Sequence, residues 1–229
     1  LAMDVITSWG TMLLLPFSDT RFSTHWVFIA DLFFWIILSL PWWLPRIVSI
    51  KREVTARFAL GLIVGYVGLC AGMHALAVER TAAAAEQAGL DAEISVYPGP
   101  FLPVYWNGVA ATDDLIYQGR VQSVGGDETQ LGEVRARNFE HAAVKAVLAS
   151  KDGSRFANWW ASVPFAEVRC LSRDHVFVLL SDVKFLNPWL ESPGFKVAFE
   201  VKWDGKAAEW TVERSFWVTW ATGKDLPEA

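Results

Sequence analysis

Two long apolar runs dominate the first third of the sequence. Residues 58–78 form a run of 21 residues that contains no Asp, Glu, Lys or Arg. A helix of this length crosses the roughly 30 Å hydrocarbon core of a bilayer. Residues 27–44 form a second run of 18 residues, in which Asp31 is the one charged position. The pattern predicts two transmembrane helices, and the small-residue spacing from Gly61 to Gly72 is typical of close helix packing in lipid.

The first 17 residues predict the end of a third helix. An apolar stretch at 12–15 is followed by Pro16, which ends the helix. One polar face at helical spacing is formed by Asp4, Thr7, Ser8 and Thr11. Because polar groups within a bilayer turn toward protein or water, we expect this polar stripe to face the interior of a helical bundle.

The pattern changes after residue 80. Residues 81–90 are strongly helix-forming, and Gly89 is the expected C-cap of a stalk that continues the last span. Further along, the residues alternate and are rich in β-branched and aromatic side chains, which is typical of strands. The predicted strands are 94–97, 105–111, 115–124, 166–171, 176–183, 195–203 and 208–220. Two helices are predicted at 138–149 and 154–162, and Asp204–Gly205 predicts a two-residue hairpin turn.

These patterns together predict the domain organisation. Residues 1–80 form an α-helical membrane bundle with two to three transmembrane helices, and residues 81–92 form a helical stalk or linker. Residues 93–229 form a soluble α+β domain with a mostly antiparallel sheet. The composition agrees, because 53% hydrophobic residues and a mean hydropathy of +0.26 exceed what an ordinary soluble domain shows.

The charges divide in the same way as the hydropathy. Residues 1–80 carry 6 Lys and Arg against 5 Asp and Glu, whereas residues 81–229 carry 14 against 20. An acidic chain with a pI near 5.4 lacks the concentrated basic face that a nucleic-acid-binding protein needs. We therefore expect no nucleic-acid partner.

The two connections between the predicted spans differ in positive charge. Residues 46–57 contain four Lys or Arg residues and one acidic residue. Residues 18–26 contain one Arg, Arg21, and no Lys. Since cytoplasmic loops carry the excess of Lys and Arg, the 46–57 connection is predicted to be cytoplasmic. The domain that follows the last span is then extracytoplasmic.

Three polar side chains in the membrane part are candidates for chemistry. Asp31 lies inside an apolar run, where an ionisable group is costly unless it is paired or hydrated, and a functional role competes with a helix-capping role. Asp4 on the polar stripe could face Asp31, and two carboxylates flanked by hydroxyls suit a divalent cation such as zinc and the activation of water. A polar seam that only fixes helix packing explains the stripe equally well. His25 could add a nitrogen ligand near Asp31, or it could be a loop histidine at the membrane interface.

The predicted α+β domain carries fewer chemical signals. It contains no GxSxG, P-loop or Rossmann motif, and His141 and His175 stand apart from any recognisable nucleophile. Eight tryptophans could line a binding groove, but aromatic residues on strands more often fill a core. These are Trp106, Trp159, Trp160, Trp189, Trp203, Trp210, Trp217 and Trp220.

The residues at 4–22, DVITSWGTMLLLPFSDTRF, are followed by HWVFIAD at 25–31. This stretch resembles the YdjM-like family of LexA-binding, inner-membrane-associated, metal-dependent hydrolases of bacteria. Residues 100–106 and 156–168 resemble the C-terminal domain of that family more loosely. The resemblance implies a bacterial inner-membrane protein in which Asp4 and Asp31 bind metal. The histidine-containing motifs that precede this stretch in the family are absent, so we expect the chain to be part of a longer protein.

Two functions follow as hypotheses. The first is a multi-pass inner-membrane hydrolase, in which a divalent metal held by Asp4, Asp31 and His25 activates water at the helical bundle, with the two aspartates as catalytic groups. The second is a non-enzymatic, membrane-anchored binding or interaction module. The expected partners are the lipid bilayer and a protein that contacts the C-terminal domain.

Overall fold

A computed structural model describes residues 2–100, 102–126, 129–186, 188 and 194–218. Within these residues the protein has one long apolar helix, one shorter apolar helix and two four-stranded antiparallel sheets. This confirms the predicted combination of apolar helices with a soluble-looking α+β part. One described helix is long and apolar enough to cross a membrane.

That long helix, α3 (Arg52–Gln87), has 36 residues and contains both the predicted span at 58–78 and the predicted stalk. An unbroken series of alanines carries the helix beyond the apolar run, because alanine is the best helix former. The helix ends where Gly89 adopts a left-handed φ of 68° and Leu90 N donates to Ala85 O at 2.9 Å. The predicted role of Gly89 at the C-terminal end is confirmed.

The shorter apolar helix, α2 (Leu32–Ile47), begins later than predicted. Residues 27–30 are not helical, because the Asp31 side chain caps the helix by accepting a hydrogen bond from Phe34 N at 2.8 Å. Pro41 and Pro45 lie inside the helix and do not end it. With 16 residues the helix is about 24 Å long, shorter than the hydrocarbon core of a bilayer.

The third predicted helix is limited to α1 (Ala2–Ile6), so the prediction of a helix up to residue 17 was wrong. The chain turns at Gly10, which has a φ of 73°, and Thr11 then pairs with Phe22 through two backbone hydrogen bonds of 3.0 and 2.9 Å. The returning segment also donates two backbone N–H groups, those of Trp26 and Val27, to Ile6 O. These tertiary hydrogen bonds replace the helix, and the polar stripe predicted for residues 4–11 therefore does not form on one helical face.

Two sheets follow the helices. The first has the order β1-β2-β3-β4 and consists of β1 (Glu93–Pro98), β2 (Tyr105–Ala111), β3 (Leu115–Gln122) and β4 (Glu133–Ala136). The second has the order β5-β6-β7-β8 and consists of β5 (Pro164–Ser172), β6 (His175–Asp182), β7 (Lys196–Asp204) and β8 (Glu209–Val218). The seven predicted strands are confirmed to within a few residues, except that residues 219–220 lie outside the described part. Strand β4 was not predicted.

The turn between β7 and β8 differs from the predicted two-residue hairpin. Asp204 pairs with Glu209, which leaves a loop of four residues, 205–208. The Asp204 carboxylate accepts the backbone N–H groups of Lys206 at 2.8 Å and Ala207 at 3.3 Å. This side-chain capping stabilises the longer loop, in which Ala208 adopts a φ of 55°.

The predicted helix at 138–149 is shorter than expected, and the predicted helix at 154–162 is displaced toward the N-terminus, because helical structure covers residues 151–160. Helix α4 (Ala142–Ala149) begins after His141, whose Nδ1 accepts from Ala143 N at 3.2 Å. Helix α5 (Lys151–Arg155) then leads directly into a π-helical turn, Phe156–Trp160.

The described chain divides into two compact units. Unit 1 consists of Leu1–Leu90, Ile94–Gly108 and Gly119–Leu131, and unit 2 consists of Asp91–Glu93, Val109–Gln118 and Gly132–Ala229. In unit 1, the second half of α3 packs against Val96, Trp106 and Val121 of the first three strands. In unit 2, α4 and the π-helical turn cover one face of the second sheet around the fully buried Val178 and Phe199.

Candidate functional site

Asp31 occupies a polar centre within the apolar part of unit 1. Its side chain is 5% exposed, with Oδ1 bound to Phe34 N and Oδ2 accepting the hydroxyl of Tyr66 on α3 at 2.7 Å. Both partners belong to an apolar cluster around Val27 and Cys70. The two hydrogen bonds offset the cost of burying a carboxylate among apolar side chains.

The position of Tyr66 along α3 places this centre within the apolar run. Tyr66 follows Phe58 by 8 residues and precedes Val78 by 12. At a rise of 1.5 Å per residue, Tyr66 lies about 12 Å along the helix from one end of the run and about 18 Å from the other. The polar centre therefore lies at the N-terminal end of α2 but well away from both ends of the apolar run of α3. Of the two roles considered for Asp31, the capping role is realised by the contacts present.

The other two candidate ligands have different neighbours. Asp4 in α1 acts electrostatically on Arg21, whose pKa is lowered by burial and raised again in part by the Asp4 charge. His25 adopts a φ of 57°, lies with Nε2 3.3 Å from Ser23 Oγ, and contacts the Tyr97 ring edge-on at 5.0 Å. Across the described ranges no three His, Cys, Asp or Glu side chains come together as a metal site. The described side chains thus do not complete a ligand set, and metal binding by Asp4, Asp31 and His25 stays a prediction.

A cavity of about 430 Å³ lies in unit 2, between the π-helical turn and the edge of the second sheet. Its described lining combines aromatic rings with three polar side chains. The lining residues are Asp152, Arg155, Phe156, Trp159, Trp160, Val197, Ser215 and Phe216. A mostly apolar wall with a few convergent polar groups is the usual composition of a small-molecule site.

The backbone around α5 determines where the cavity side chains point. Ser150 caps α5 by accepting from Gly153 N at 3.2 Å, and an added Cβ at Gly153 would come within 2.0 Å of Val147 O. This close approach, which glycine permits, brings α5 against α4. The wider π-helical turn closes with a hydrogen bond from Ala161 N to Phe156 O at 2.8 Å. Such turns are rare and occur frequently at functional sites.

Two side chains of opposite charge, Asp152 and Arg155, line the cavity from α5. Asp152 Oδ2 accepts the Ser215 hydroxyl at 2.9 Å, and the Arg155 guanidinium lies over the Trp159 ring at 5.3 Å. Both charged side chains are exposed, and neither forms an ion pair with another residue that the structure describes. An unpaired cation and anion three residues apart remain able to bind a ligand that carries both charges.

A buried ion pair holds one aromatic wall in place. Lys184 Nζ lies 3.1 Å from Asp182 Oδ2, donates to Trp160 O at 2.8 Å and sits 4.7 Å from the centre of the Trp160 ring. The Trp160 ring also stacks with the Phe185 ring, with 5.0 Å between the ring centres. The ring is thus fixed from two directions before any ligand enters.

The strand that forms the other wall is fixed by a charged cluster. Glu200 on β7 pairs with Arg214 on β8, and its Oε1 lies 2.7 Å from His175 Nε2. Burial alone would raise the pKa of the Glu200 carboxyl, but Arg214 and His175 outweigh this effect and hold the pKa below its usual value. Arg214 also packs over Phe216 at 5.6 Å, which connects this cluster to the cavity wall.

The sequence favours a core role over a groove for the tryptophans, so it did not predict this cavity. Trp159 and Trp160, for which a core role was favoured over a groove, line the cavity, whereas Trp106 is fully buried as expected of a core residue. Trp203 and Trp210 contact each other at the end of the β7–β8 hairpin. Trp189 and Trp220 lie outside the described residues, as does the side chain of Trp217. Asp152 and Arg155 were not singled out from the sequence. The signal available for them was a pair of opposite charges, three residues apart, that precedes two adjacent tryptophans.

Comparisons of the chain with protein families, with curated proteins and with solved structures found no match.

The Asp31–Tyr66 hydrogen bond generates a prediction about stability. Asp31→Ala removes the cap of α2 and leaves the Tyr66 hydroxyl unpaired, so we expect a loss of about 2 kcal/mol in the free energy of unfolding. Tyr66→Phe should cost about 1 kcal/mol, and the double variant should cost less than the sum by about 1 kcal/mol. Unfolding of the full chain by SDS in mixed micelles, followed by tryptophan fluorescence, measures these values.

Tyr117→Phe is the matched control, because the Tyr117 hydroxyl has no hydrogen-bond partner within the described residues. This variant should leave the free energy of unfolding unchanged. Strictly additive losses for Asp31→Ala and Tyr66→Phe would show that the two side chains do not interact in the folded protein.

Proposed function

We propose that the chain is a multi-pass inner-membrane protein of bacteria, and that its extracytoplasmic α+β domain binds a small organic ligand in the aromatic cavity. The observation that carries this proposal is the cavity itself, where fixed aromatic walls meet two unpaired charges of opposite sign. The apolar helices α2 and α3 supply the membrane anchor. The protein is then a membrane-anchored binding module.

The surface of α2 and α3 supports the membrane anchor. Large apolar side chains on both helices are at least 36% exposed, although such side chains are normally buried in a protein surrounded by water. On α2 these are Leu32, Phe33, Trp35, Ile36, Leu38, Trp42, Trp43 and Ile47. On α3 they are Val54, Phe58, Leu60, Leu62, Val64, Leu69 and Leu76. Lipid acyl chains are the surroundings that suit these surfaces.

The positive charges of the α2–α3 connection support the proposed orientation. Arg46, Lys51, Arg52 and Arg57 surround the point where the chain reverses direction between α2 and α3. The cytoplasmic side of an inner membrane retains such charges. The residues after α3 then lie on the opposite, extracytoplasmic side.

The composition of the cavity indicates the class of ligand. Trp159 and Phe216 offer ring faces, Arg155 offers a cation for a carboxylate, and Asp152 offers an anion for an ammonium group. A zwitterion with an aromatic or large apolar body satisfies all of these groups at once. An aromatic α-amino acid has this chemistry.

The ligand class is tested with three probes that share one aromatic body. L-Phenylalanine carries both charges, phenylacetate carries the anion alone, and phenethylamine carries the cation alone. We expect L-phenylalanine to bind the purified full chain in detergent about tenfold more tightly than either singly charged probe, because each ionic contact contributes about 1.4 kcal/mol. Isothermal titration calorimetry measures the three affinities.

Two variants and a control sharpen this experiment. Arg155→Gln should remove the preference for L-phenylalanine over phenethylamine, and Trp159→Ala should weaken all three probes. Trp203→Ala changes a tryptophan of the same sheet that is 37% exposed and does not line the cavity, so it should bind like the parent protein. Equal affinities for the three probes would reject the proposed zwitterion, and absence of binding would reject the cavity as a ligand site.

The proposed orientation predicts the behaviour of reporter fusions. Alkaline phosphatase fused after Leu90 should be active, because it folds only outside the cytoplasm, and a fluorescent protein that requires the cytoplasm should be dark at the same position. Replacing Lys51, Arg52 and Arg57 by Gln should reduce the phosphatase signal, since it removes most of the positive charge that fixes the orientation. A fluorescent fusion after Leu90 in the parent chain would contradict the orientation.

A second candidate function is the metal-dependent hydrolase that the resemblance at residues 4–31 implies. The buried, hydrogen-bonded carboxylate of Asp31 favours it, because an ionisable side chain inside an apolar run is often functional. In this function Asp4 and Asp31 would hold a divalent metal, which supplies water activation when bound, and the Tyr66 hydroxyl would orient the Asp31 carboxylate. The remaining ligands would come from outside the described residues.

Metal analysis separates this candidate from the binding module. If the protein is a metal-dependent hydrolase, the full-length protein purified from cells should contain about one divalent metal ion per chain. Asp4→Ala or Asp31→Ala should then lower that metal content. Asp19→Ala, which changes an exposed carboxylate of the same segment, is the control and should leave it unchanged. Unchanged metal content in Asp4→Ala and Asp31→Ala, at unchanged stability, would reject the hydrolase function.

A further inference from the structure

A short turn in unit 1 exposes a compact group of apolar side chains. Leu13, Leu14, Leu15 and Phe17 are 49%, 50%, 56% and 94% exposed. The turn is closed by backbone hydrogen bonds from Phe17 and Ser18 to Leu14 O, at 2.7 and 3.0 Å. Backbone hydrogen bonds thus stabilise the conformation of the turn, while its apolar side chains are exposed. We name residues 13–17 the apolar turn.

The base of the apolar turn is attached to the part of unit 1 that lies beside the membrane helix. The paired residues Thr11 and Phe22 close the base, and Ile6 O accepts the backbone N–H groups of Trp26 and Val27 at 3.0 Å each. Val27 packs in one cluster with Ile63, Val67 and Cys70 of α3. The turn therefore emerges from a segment that contacts α3 within its apolar run.

The flanks of the apolar turn are polar. Ser18 donates its hydroxyl to Thr20 Oγ1 at 2.8 Å and accepts from Thr20 N at 3.1 Å, and Asp19 is exposed between them. On the other flank the ring of Trp9 is 40% exposed. Apolar side chains beside exposed polar groups and a tryptophan are the arrangement found where a protein meets the boundary between acyl chains and headgroups.

From these observations we infer that the apolar turn inserts into the bilayer and contacts lipid acyl chains near the headgroup boundary. Its large apolar side chains are exposed, as are those of α2 and α3, and residues 13–17 carry no charge that would recognise a folded protein partner. The turn is a third membrane contact beside the two helices. This inference rests on the proposed membrane anchor.

Depth-dependent fluorescence quenching tests the inference. Variants with one added cysteine, Leu14→Cys, Val64→Cys and Val124→Cys, are made in a Cys170→Ser background and labelled with an environment-sensitive fluorophore. Val64 marks the exposed apolar face of α3, and Val124 marks an exposed loop of unit 1 that lies outside the apolar run. The Cys170→Ser parent, which retains the buried Cys70, gives the background labelling. The full chain is placed in nanodiscs of phosphatidylethanolamine and phosphatidylglycerol that contain lipids spin-labelled at shallow or deep acyl positions.

We expect the label at position 14 to emit at blue-shifted wavelengths and to be quenched at least twofold, more strongly by shallow than by deep spin labels. The label at 64 should be quenched more strongly by deep ones, and the label at 124 should be unaffected. A second variant in the turn, Leu15→Cys, should behave like Leu14→Cys and guards against a local effect of one substitution.

The outcomes distinguish the inference from the proposal on which it rests. Quenching at 64 with a solvent-like, unquenched label at 14 and 15 overturns lipid insertion of the turn and leaves the membrane anchor intact. A blue-shifted but unquenched label at 14 and 15 shows that protein covers the turn, which also overturns the inference. Absence of quenching at 64 overturns the membrane anchor itself.

Discussion

The structure depends on the continuity of α3, because this one helix changes its surroundings along its length without interruption. Val54 to Leu69 expose apolar side chains, whereas Met73, Ala77 and Val78 pack against strands of unit 1. His74 Nε2 lies 3.2 Å from Val96 O, and an added Cβ at Gly108 would lie 2.7 Å from Thr81 Oγ1. Close packing of strands on the second half of α3 therefore fixes where the apolar half can lie.

The polar centre at Asp31 follows from the same constraint. Since α3 continues without a break past the N-terminal end of α2, the capping residue of α2 contacts the middle of α3 and not one of its ends. Its carboxylate then needs a partner within the apolar run, and Tyr66 supplies one. A capping interaction and a carboxylate buried within the apolar cluster are thus the same structural feature, and chemistry at this position would use a side chain that the fold already orients.

The apolar run at 58–78, the C-terminal glycine of α3 and seven strands could be predicted because each depends on local pattern. The start of α2, the short α1 and the four-residue loop after Asp204 could not, since side-chain caps and tertiary backbone hydrogen bonds determine them. The sequence favours a core role for Trp159 and Trp160 as for the other tryptophans of the α+β part, and only the π-helical turn places them in a cavity wall. The pattern allowed both a functional and a capping Asp31, and the contacts show the cap.

The distance between spin labels at Val54 and Gln87 tests the continuity of α3 most directly. Both positions are exposed on the helix and 33 residues apart, which corresponds to about 50 Å in a straight helix. Double electron–electron resonance on the Cys170→Ser chain in nanodiscs should give one narrow distribution near that distance. A broad distribution, or a maximum shorter by about 10 Å or more, would show that α3 bends or breaks between its apolar half and the strands.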